Sequence, residues 1–274
     1  MLKINFKIDK TYLAYEAIAT RVAGEEERTF VQDRAGRQHL REFKAAAEKR
    51  DPLACLFMKA DGKIFRIMTL ANHAGLCSEE LAKRTENLLL EMTANPLFAP
   101  LLEDSHNAVT NLEAEWDSKY SESLKIVEAL TGFSFDKTFD VYVTHPCQPA
   151  GHNSYGTIFT TFRKGFPNYN TVYLWHEILH SYIEPAAGDY VDNERSSHSV
   201  IQLITDNELR VRMGGGNYPP FEGHDYLNET MECLLPAWRD YLKQDKHDAL
   251  AFLKIADKLE KERTSKSAGE RSKK

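Results

Sequence analysis

The segment from His176 to His180 reads His-Glu-Ile-Leu-His, and its residue types and spacing can form a metal site. Side chains four residues apart lie on one face of an α-helix, so both imidazoles can reach the same ion. Glu177 lies beside the first histidine and can reach a water molecule on that ion. Zinc lowers the pKa of a bound water molecule to about 7, which makes hydroxide available near neutral pH. The pattern therefore predicts a zinc site that activates water.

The residues on both sides of this pattern predict a buried helix. Four apolar residues fall on neighbouring faces at helical spacing: Val172, Trp175, Leu179 and Ile183. Asn168 or Asn170 can cap the start, and Pro185 predicts that the helix ends at Glu184. A core helix with both histidines satisfied by hydrogen bonds is the alternative, but it leaves a buried Glu177 that is costly without a partner.

Over residues 138–226 the chain resembles the zincin metallopeptidases, in which the two histidines of the HExxH motif bind zinc. The resemblance implies that His176 and His180 are zinc ligands and that Glu177 is the general base and proton shuttle. In that mechanism Glu177 takes a proton from the attacking water molecule and passes it to the leaving nitrogen of a peptide bond.

The third zinc ligand distinguishes the subfamilies of zincins. Metzincins require a glycine and a histidine at the positions of Ile183 and Ala186, so this chain is excluded from that class. Gluzincins take a glutamate from a following helix, commonly at the positions that Ser199 and Val200 occupy here. The commonest gluzincin spacing is therefore also absent.

Glu208 is the predicted third ligand, which makes the site gluzincin-like. Residues 197–213 are predicted to be helical, and the glycine run at 214–216 ends that helix. Three apolar residues align with Glu208 at helical spacing: Ile201, Ile204 and Val211. A carboxylate on such an apolar face needs a cation or a metal ion as its partner, and the zinc ion would serve.

Four other residues remain as alternatives for the third ligand: His198, Asp206, Glu194 and Asp192. His198 could supply a third imidazole, although a histidine at a helix start is commonly exposed. Asp206 or Asp192 could instead orient a ligand histidine through its second ring nitrogen. Arg212 could neutralise Glu208, or it could interact with the helix dipole as arginines near a helix C-terminus do.

A hydrolytic site also needs a donor for the oxyanion that forms when hydroxide attacks a carbonyl group. Residues 217–226 are rich in glycine, proline and aromatic residues, which predicts a loop that could cross a cleft. The resemblance to zincins implies a tyrosine or histidine in this role, and Tyr218 and His224 are the candidates. Tyr226 could also donate, and a packing role is the alternative for the tyrosines.

Two β-rich runs precede the HExxH motif, at residues 138–144 and 155–162, with a predicted loop between them at 147–153. The zincin resemblance implies that an edge strand lies beside the metal helix and pairs with an extended substrate. Residues 157–161 are the candidate for that edge strand, and a core strand is an equally good interpretation.

The composition indicates a globular protein, with 42% hydrophobic and 28% charged residues among 274. The net charge of −6 argues against general nucleic-acid binding, and no basic, aromatic-interleaved stretch contradicts this. No apolar run is long enough to predict a membrane span, and the N-terminus lacks the apolar segment of a signal peptide. The four cysteines form no CxxC pair, which favours a reduced, cytoplasmic compartment and predicts neither a disulfide framework nor a second metal site.

The predicted fold class is α+β and zincin-like, with a small sheet packed on the HExxH helix and helical segments before and after it. Residues 1–135 are predicted as a mostly helical region, 136–262 as the metal-site region and 263–274 as a disordered basic tail. Strands are also predicted at residues 1–9 and 64–70. Amphipathic spacing predicts further helices at 12–21, 38–49, 79–92, 109–130, 229–243 and 246–261.

The sequence therefore predicts a zinc metallopeptidase that acts on a peptide or protein substrate. A zinc hydrolase of non-peptide bonds uses the same activated water and is a close variant. A catalytically silent binding or regulatory protein on a zincin scaffold is the main alternative, since a fold does not determine function. A helical interaction protein without a metal is the third interpretation. The oligomeric state does not follow from the sequence.

Overall fold

The computed structural model of the protein describes residues 2–24, 33–60, 79–149, 151–154, 156–187, 194–214 and 224–271. Within these residues the chain is mostly helical with one small mixed sheet, which confirms the α+β class. The first elements are β1 (Lys3–Lys7), α1 (Lys10–Ala19), α2 (Arg34–Arg50), α3 (Pro52–Ala60), α4 (Glu79–Thr93) and α5 (Phe98–Thr131). There follow β2 (Thr138–Val143), β3 (His152–Ser154), β4 (Thr157–Thr160), α6 (Tyr169–Ala187), α7 (Glu194–Gln202), a π-helix (Leu203–Leu209), α8 (Arg210–Gly214), a 3-10 turn (Asp225–Leu227), α9 (Asn228–Tyr241) and α10 (Ala249–Arg271). The strand predicted at 64–70 lies outside the described residues.

The four strands form a sheet in the order β1-β2-β4-β3. β2 pairs with β4 in parallel, and β3 pairs with β4 in the antiparallel direction, with His152 opposite Phe159. Three strands were predicted with slightly wider bounds, but β3 lies in the segment predicted to be a loop, because three residues are too few to show alternation. β4 is an inner strand, so the prediction that residues 157–161 form an edge strand is wrong.

Contacts within the chain define two compact units, each built from separated segments. The first contains Met1–Lys3, Glu115–Lys137 and Phe166–Lys274, and the second contains Ile4–Ala114 and Thr138–Gly165. The HExxH helix α6 belongs to the first unit, and strands β2, β3 and β4 belong to the second. The region boundary near residue 135 and the packing of the sheet on the HExxH helix stay predictions.

A partly buried carboxylate connects three segments of the second unit. Asp104 on α5 contacts His145 Nε2 at 3.0 Å and His39 Nδ1 at 3.1 Å through one oxygen. The backbone N–H of Cys147 donates to His145 Nδ1, which leaves the hydrogen on Nε2 to be donated to Asp104. Burial would raise the pKa of Asp104, but the hydrogen bonds from both histidines outweigh it and hold that pKa below its usual value.

The start of the HExxH helix is capped by a residue of another helix. Glu115 on α5 accepts hydrogen bonds from the backbone N–H of Thr171 at 2.7 Å and from Asn170 Nδ2 at 2.8 Å. A carboxylate at this position satisfies free N–H groups and interacts favourably with the helix dipole. Asn168, one of the predicted caps, instead has a positive φ of 62° and donates its side-chain amide to Met213.

The end of the same helix lies slightly beyond the predicted position, at Ala187 rather than Glu184. Pro185 has no N–H to donate to the carbonyl of Ser181, one turn earlier. Lys137 replaces that hydrogen bond, since its Nζ donates to the Ser181 carbonyl at 2.7 Å. The last turn therefore remains helical even though it contains proline.

The helix predicted at 197–213 is built from α7, the π-helix and α8 in continuous succession. In the π-helix the hydrogen bond reaches five residues back rather than four, so each turn takes up about one more residue than in an α-helix. Residues before and after the π-helix therefore do not share the face that regular helical spacing predicts. This change of register determines which side chains of the segment meet α6.

The last helix is longer than the sequence predicted. α10 continues to Arg271, beyond residue 263, where a disordered tail was predicted. Arg263 lies in the helix and forms hydrogen bonds with both carboxylate oxygens of Glu260, at 2.7 and 2.8 Å.

Among the described helices, none is both long and apolar enough to cross a membrane.

Candidate metal centre

Three histidine side chains of the first unit converge on one point. His176 Nε2 lies 3.2 Å from His180 Nε2 and 3.1 Å from His198 Nε2. The ligand atoms of all three residues lie within 4.8 Å of one another, which is close enough for a single metal ion to bind all three. Among the described residues this is the group of histidine, cysteine and acidic side chains that could hold a metal ion.

Two packed helical segments bring these histidines together. His176 and His180 lie one turn apart on α6, as the HExxH spacing predicts, and His176 is buried while His180 is partly buried. His198 is the central residue of α7 and is 9% exposed. Trp175 holds α6 in place, because its ring is fully buried and its Nε1 donates to Ser123 Oγ at 2.8 Å.

Each of the three rings has a polar partner at its other nitrogen. His176 Nδ1 lies 3.1 Å from the carboxylate of Asp206, and His180 Nδ1 lies 2.6 Å from that of Glu184. His198 Nδ1 lies 3.4 Å from the hydroxyl of Tyr226. A ring that donates its Nδ1 hydrogen presents a bare Nε2, which is the form that binds a metal ion.

Asp206 owes its position to the π-helix, in which it is the fourth residue. Its Oδ2 also lies 3.2 Å from Thr205 Oγ1, whose shorter hydrogen bond, at 2.8 Å, is to the carbonyl of Ile201. π-Helical turns are rare and are frequently found at functional sites. The sequence predicted Asp206 as a residue that could orient a ligand histidine, and the structure places it in contact with the first of them.

The surroundings of the two buried histidines shift their pKa values in opposite directions. Burial disfavours the charged form of His176, but the hydrogen bond and charge of Asp206 outweigh this effect and raise its pKa. Burial, followed by the positive charges that His176 and His180 would carry, lowers the pKa of His198 to about 2. His198 is therefore neutral at physiological pH, as a metal ligand must be.

Glu177 lies on α6 beside the first histidine and is 5% exposed. It has interactions with neighbouring groups, and its negative charge acts on both His176 and His224. The carboxylate therefore lies within electrostatic reach of the histidine cluster without being part of the converging set.

The rings of His224 and Tyr226 lie beside the ring of His198. The ring centroids of His198 and His224 are 4.8 Å apart, and those of His224 and Tyr226 are 5.4 Å apart. Desolvation by neighbouring side chains, followed by the charge of His176, lowers the pKa of His224. The structure thus brings one predicted oxyanion donor, His224, to the cluster together with Tyr226.

Glu208, the predicted third ligand, is not part of the converging group. It is 1% exposed, as its apolar face predicted, but its carboxylate accepts a hydrogen bond from Arg212 Nε at 3.2 Å. The guanidinium of Arg212 is therefore a cationic partner of this buried carboxylate. His198, which the sequence left as an alternative, occupies the place beside His176 and His180.

Of the remaining residues that the sequence predicted for the site, one lies in the described part of the chain and two lie outside it. Glu194 begins α7 and is exposed, and it does not belong to the converging group. Tyr218 and Asp192 lie outside the described residues. One chemical signal for His198 was present in the sequence, because zinc readily accepts a third imidazole.

We expect Asp206→Asn to lower the affinity for zinc by about 10- to 100-fold, because a neutral amide holds the His176 ring less firmly and makes it a weaker donor. Competition with a chromophoric chelator measures this affinity. Asp245→Asn, at an exposed position after α9, is the matched control and should bind zinc as the wild type does. Unchanged affinity in Asp206→Asn, with equal thermal stability of the metal-free proteins, would contradict the orienting role.

Comparison of the chain with protein-family models, with curated proteins and with solved structures gives no match.

Proposed function

We propose that this protein is a zinc-dependent hydrolase, and specifically a metallopeptidase with a zincin-like fold and site. The observation that carries the proposal is the convergence of three imidazole Nε2 atoms from rings whose Nδ1 atoms all have polar partners. In this proposal the zinc ligands are His176, His180 and His198, with His198 in the place first predicted for Glu208.

Hydrogen bonding between neutral rings accounts poorly for the cluster. Asp206 and Glu184 accept the Nδ1 hydrogens of His176 and His180, so a neutral ring directs the bare Nε2 lone pair at its neighbour. Two lone pairs 3.2 Å apart repel each other, and a cation between them removes this repulsion. A divalent metal ion therefore fits the donor set.

The donor set favours the group of divalent metals that includes zinc, and the ligand spacing is compatible with zinc. Imidazole nitrogen suits zinc, copper, iron and nickel rather than magnesium or calcium. Nitrogen atoms bound to one tetrahedral zinc ion at about 2.0–2.1 Å lie roughly 3.3 Å apart. The separations of 3.1 and 3.2 Å in the cluster are close to this value. Three protein ligands with one further position is the pattern of catalytic rather than structural zinc.

The chemistry follows from the position of the surrounding side chains. Zinc, when bound, would supply Lewis acidity to a substrate carbonyl and would make a water molecule acidic enough to react near neutral pH. Glu177 would take the proton of the attacking water molecule and return it to the leaving nitrogen. Tyr226 has a hydroxyl hydrogen free to donate to the developing oxyanion while its oxygen accepts from His198. The donor role predicted for His224 stays a prediction.

A zinc-loading experiment tests this proposal. Wild-type protein should bind about one zinc ion per chain and cleave members of a broad peptide library at neutral pH. Treatment with a chelator should abolish cleavage, and added zinc should restore it. Zinc binding without cleavage of any peptide would contradict the peptidase activity and favour a silent binding protein. Failure to bind zinc would contradict the whole proposal.

A further inference from the structure

His224 has the same spatial relation to His198 that the proposed ligands have to one another. The rings of His180 and His198 have centroids 4.8 Å apart and an interplanar angle of 81°. The rings of His198 and His224 have centroids 4.8 Å apart and an angle of 83°. The fourth histidine thus extends the cluster with the spacing and orientation of a ligand ring.

The three proposed ligands leave one position on the metal ion for a further donor, and the His224 ring lies beside His198. A zinc ion with three protein ligands needs a fourth donor, and a neutral imidazole is a good one. His224 precedes the 3-10 turn, outside the helices that carry the other three histidines, and its side chain is exposed. His224 is not part of the converging group, so ligation requires rotation of its side chain, which exposed residues undergo rapidly.

Other nearby polar groups are less suited to this position. The carboxylates of Asp206 and Glu184 are engaged with ligand Nδ1 atoms. The hydroxyl of Tyr226 is engaged with His198 Nδ1 at 3.4 Å. Glu177 follows the first ligand directly on α6 and is not part of the converging group, and the proposed function assigns it to the attacking water molecule.

We propose that His224 is a fourth, displaceable ligand, which closes the metal site when substrate is absent and gives way to a substrate carbonyl. This inference rests on the proposed function, because it requires a metal ion at the three-histidine cluster. Ligation uses the lone pair of one nitrogen of the neutral ring and displaces a water molecule. No proton or electron is transferred in this exchange.

A displaceable ligand competes with any small anion for the same coordination position. Azide binding to the cobalt-loaded protein, followed by the visible absorption of Co²⁺, measures this competition directly. His224→Ala should bind azide about tenfold or more tightly than the wild type, because the competing donor is absent. The same variant should bind zinc about tenfold or more weakly in chelator competition, because it has lost a donor.

Two further variants and one spectrum separate ligation from an effect on local structure. His224→Gln keeps a polar side chain but lacks the imidazole donor, and it should behave as His224→Ala does. His106→Ala removes an exposed histidine of α5 and should match the wild type. X-ray absorption of the zinc-loaded wild type should fit four imidazole ligands and should fit three in His224→Ala.

Two different results would overturn the inference, and they are distinguishable. Equal azide and zinc affinities in wild type and His224→Ala, with three imidazole ligands in both, would reject the role of His224 and leave the three-histidine site intact. Absence of cobalt and zinc binding in the wild type would instead reject the proposed function, on which this inference rests.

Discussion

Glu177→Gln is expected to keep about one zinc ion per chain and to lower kcat by about 10²- to 10⁴-fold. Glutamine has nearly the same shape as glutamate, but it cannot accept a proton from water and return it to a leaving nitrogen. Glu177 is 5% exposed and is not one of the converging ligands, so its replacement leaves the three imidazoles in place. Metal content and steady-state cleavage of a peptide substrate, measured on the same preparation, check both parts of this prediction.

The matched control for this variant is Glu232→Gln, which makes the same chemical change at an exposed position of α9. It should retain both zinc and full activity. Wild-type turnover in Glu177→Gln would exclude the general-base role. Loss of zinc from the variant would mean that Glu177 supports the metal site itself, and the activity measurement would then carry no information on proton transfer.

The part of the site that the sequence predicted is the part that depends on local geometry. His176 and His180 face the same way because they are separated by one turn of a single helix, and no information from distant residues is needed. The burial of Glu208 was also predicted from its apolar neighbours. The cation beside Glu208 is Arg212, and the sequence left the pairing of these two residues open.

The choice between Glu208 and His198 depends on features that have no simple sequence pattern. Helical alignment of Glu208 with Ile201 assumes a regular α-helix between them, but the π-helix intervenes and changes the register. His198 reaches the cluster because α7 packs beside α6, which brings His198 to His176, 22 positions earlier in the chain. The same limitation explains β3, whose three residues form a strand through pairing with β4 rather than through their own periodicity.

His198→Ala is expected to lose zinc, whereas Glu208→Gln is expected to retain it. Removal of one of the ligands should weaken zinc binding by roughly 10²- to 10³-fold, a proportional share of the total binding free energy of a zinc site. Glu208 is paired with Arg212 and lies outside the converging group, so its neutral isostere changes a buried ion pair and leaves the zinc ligands intact. Plasma mass spectrometry of metal content after gel filtration, with chelator competition for the affinities, measures the difference.

His180→Ala serves as the positive control, since its place in the HExxH motif makes it a ligand under either assignment of the third position. Glu208→Gln rather than Glu208→Ala is the better test, because it avoids a cavity beside Arg212 and keeps a hydrogen-bond acceptor there. Zinc lost from Glu208→Gln and retained by His198→Ala would restore the gluzincin-like assignment and would show that the two helical segments rearrange around the ion. Zinc lost only from the two histidine variants would establish that three imidazoles hold the metal, with the fourth position left for substrate or for His224.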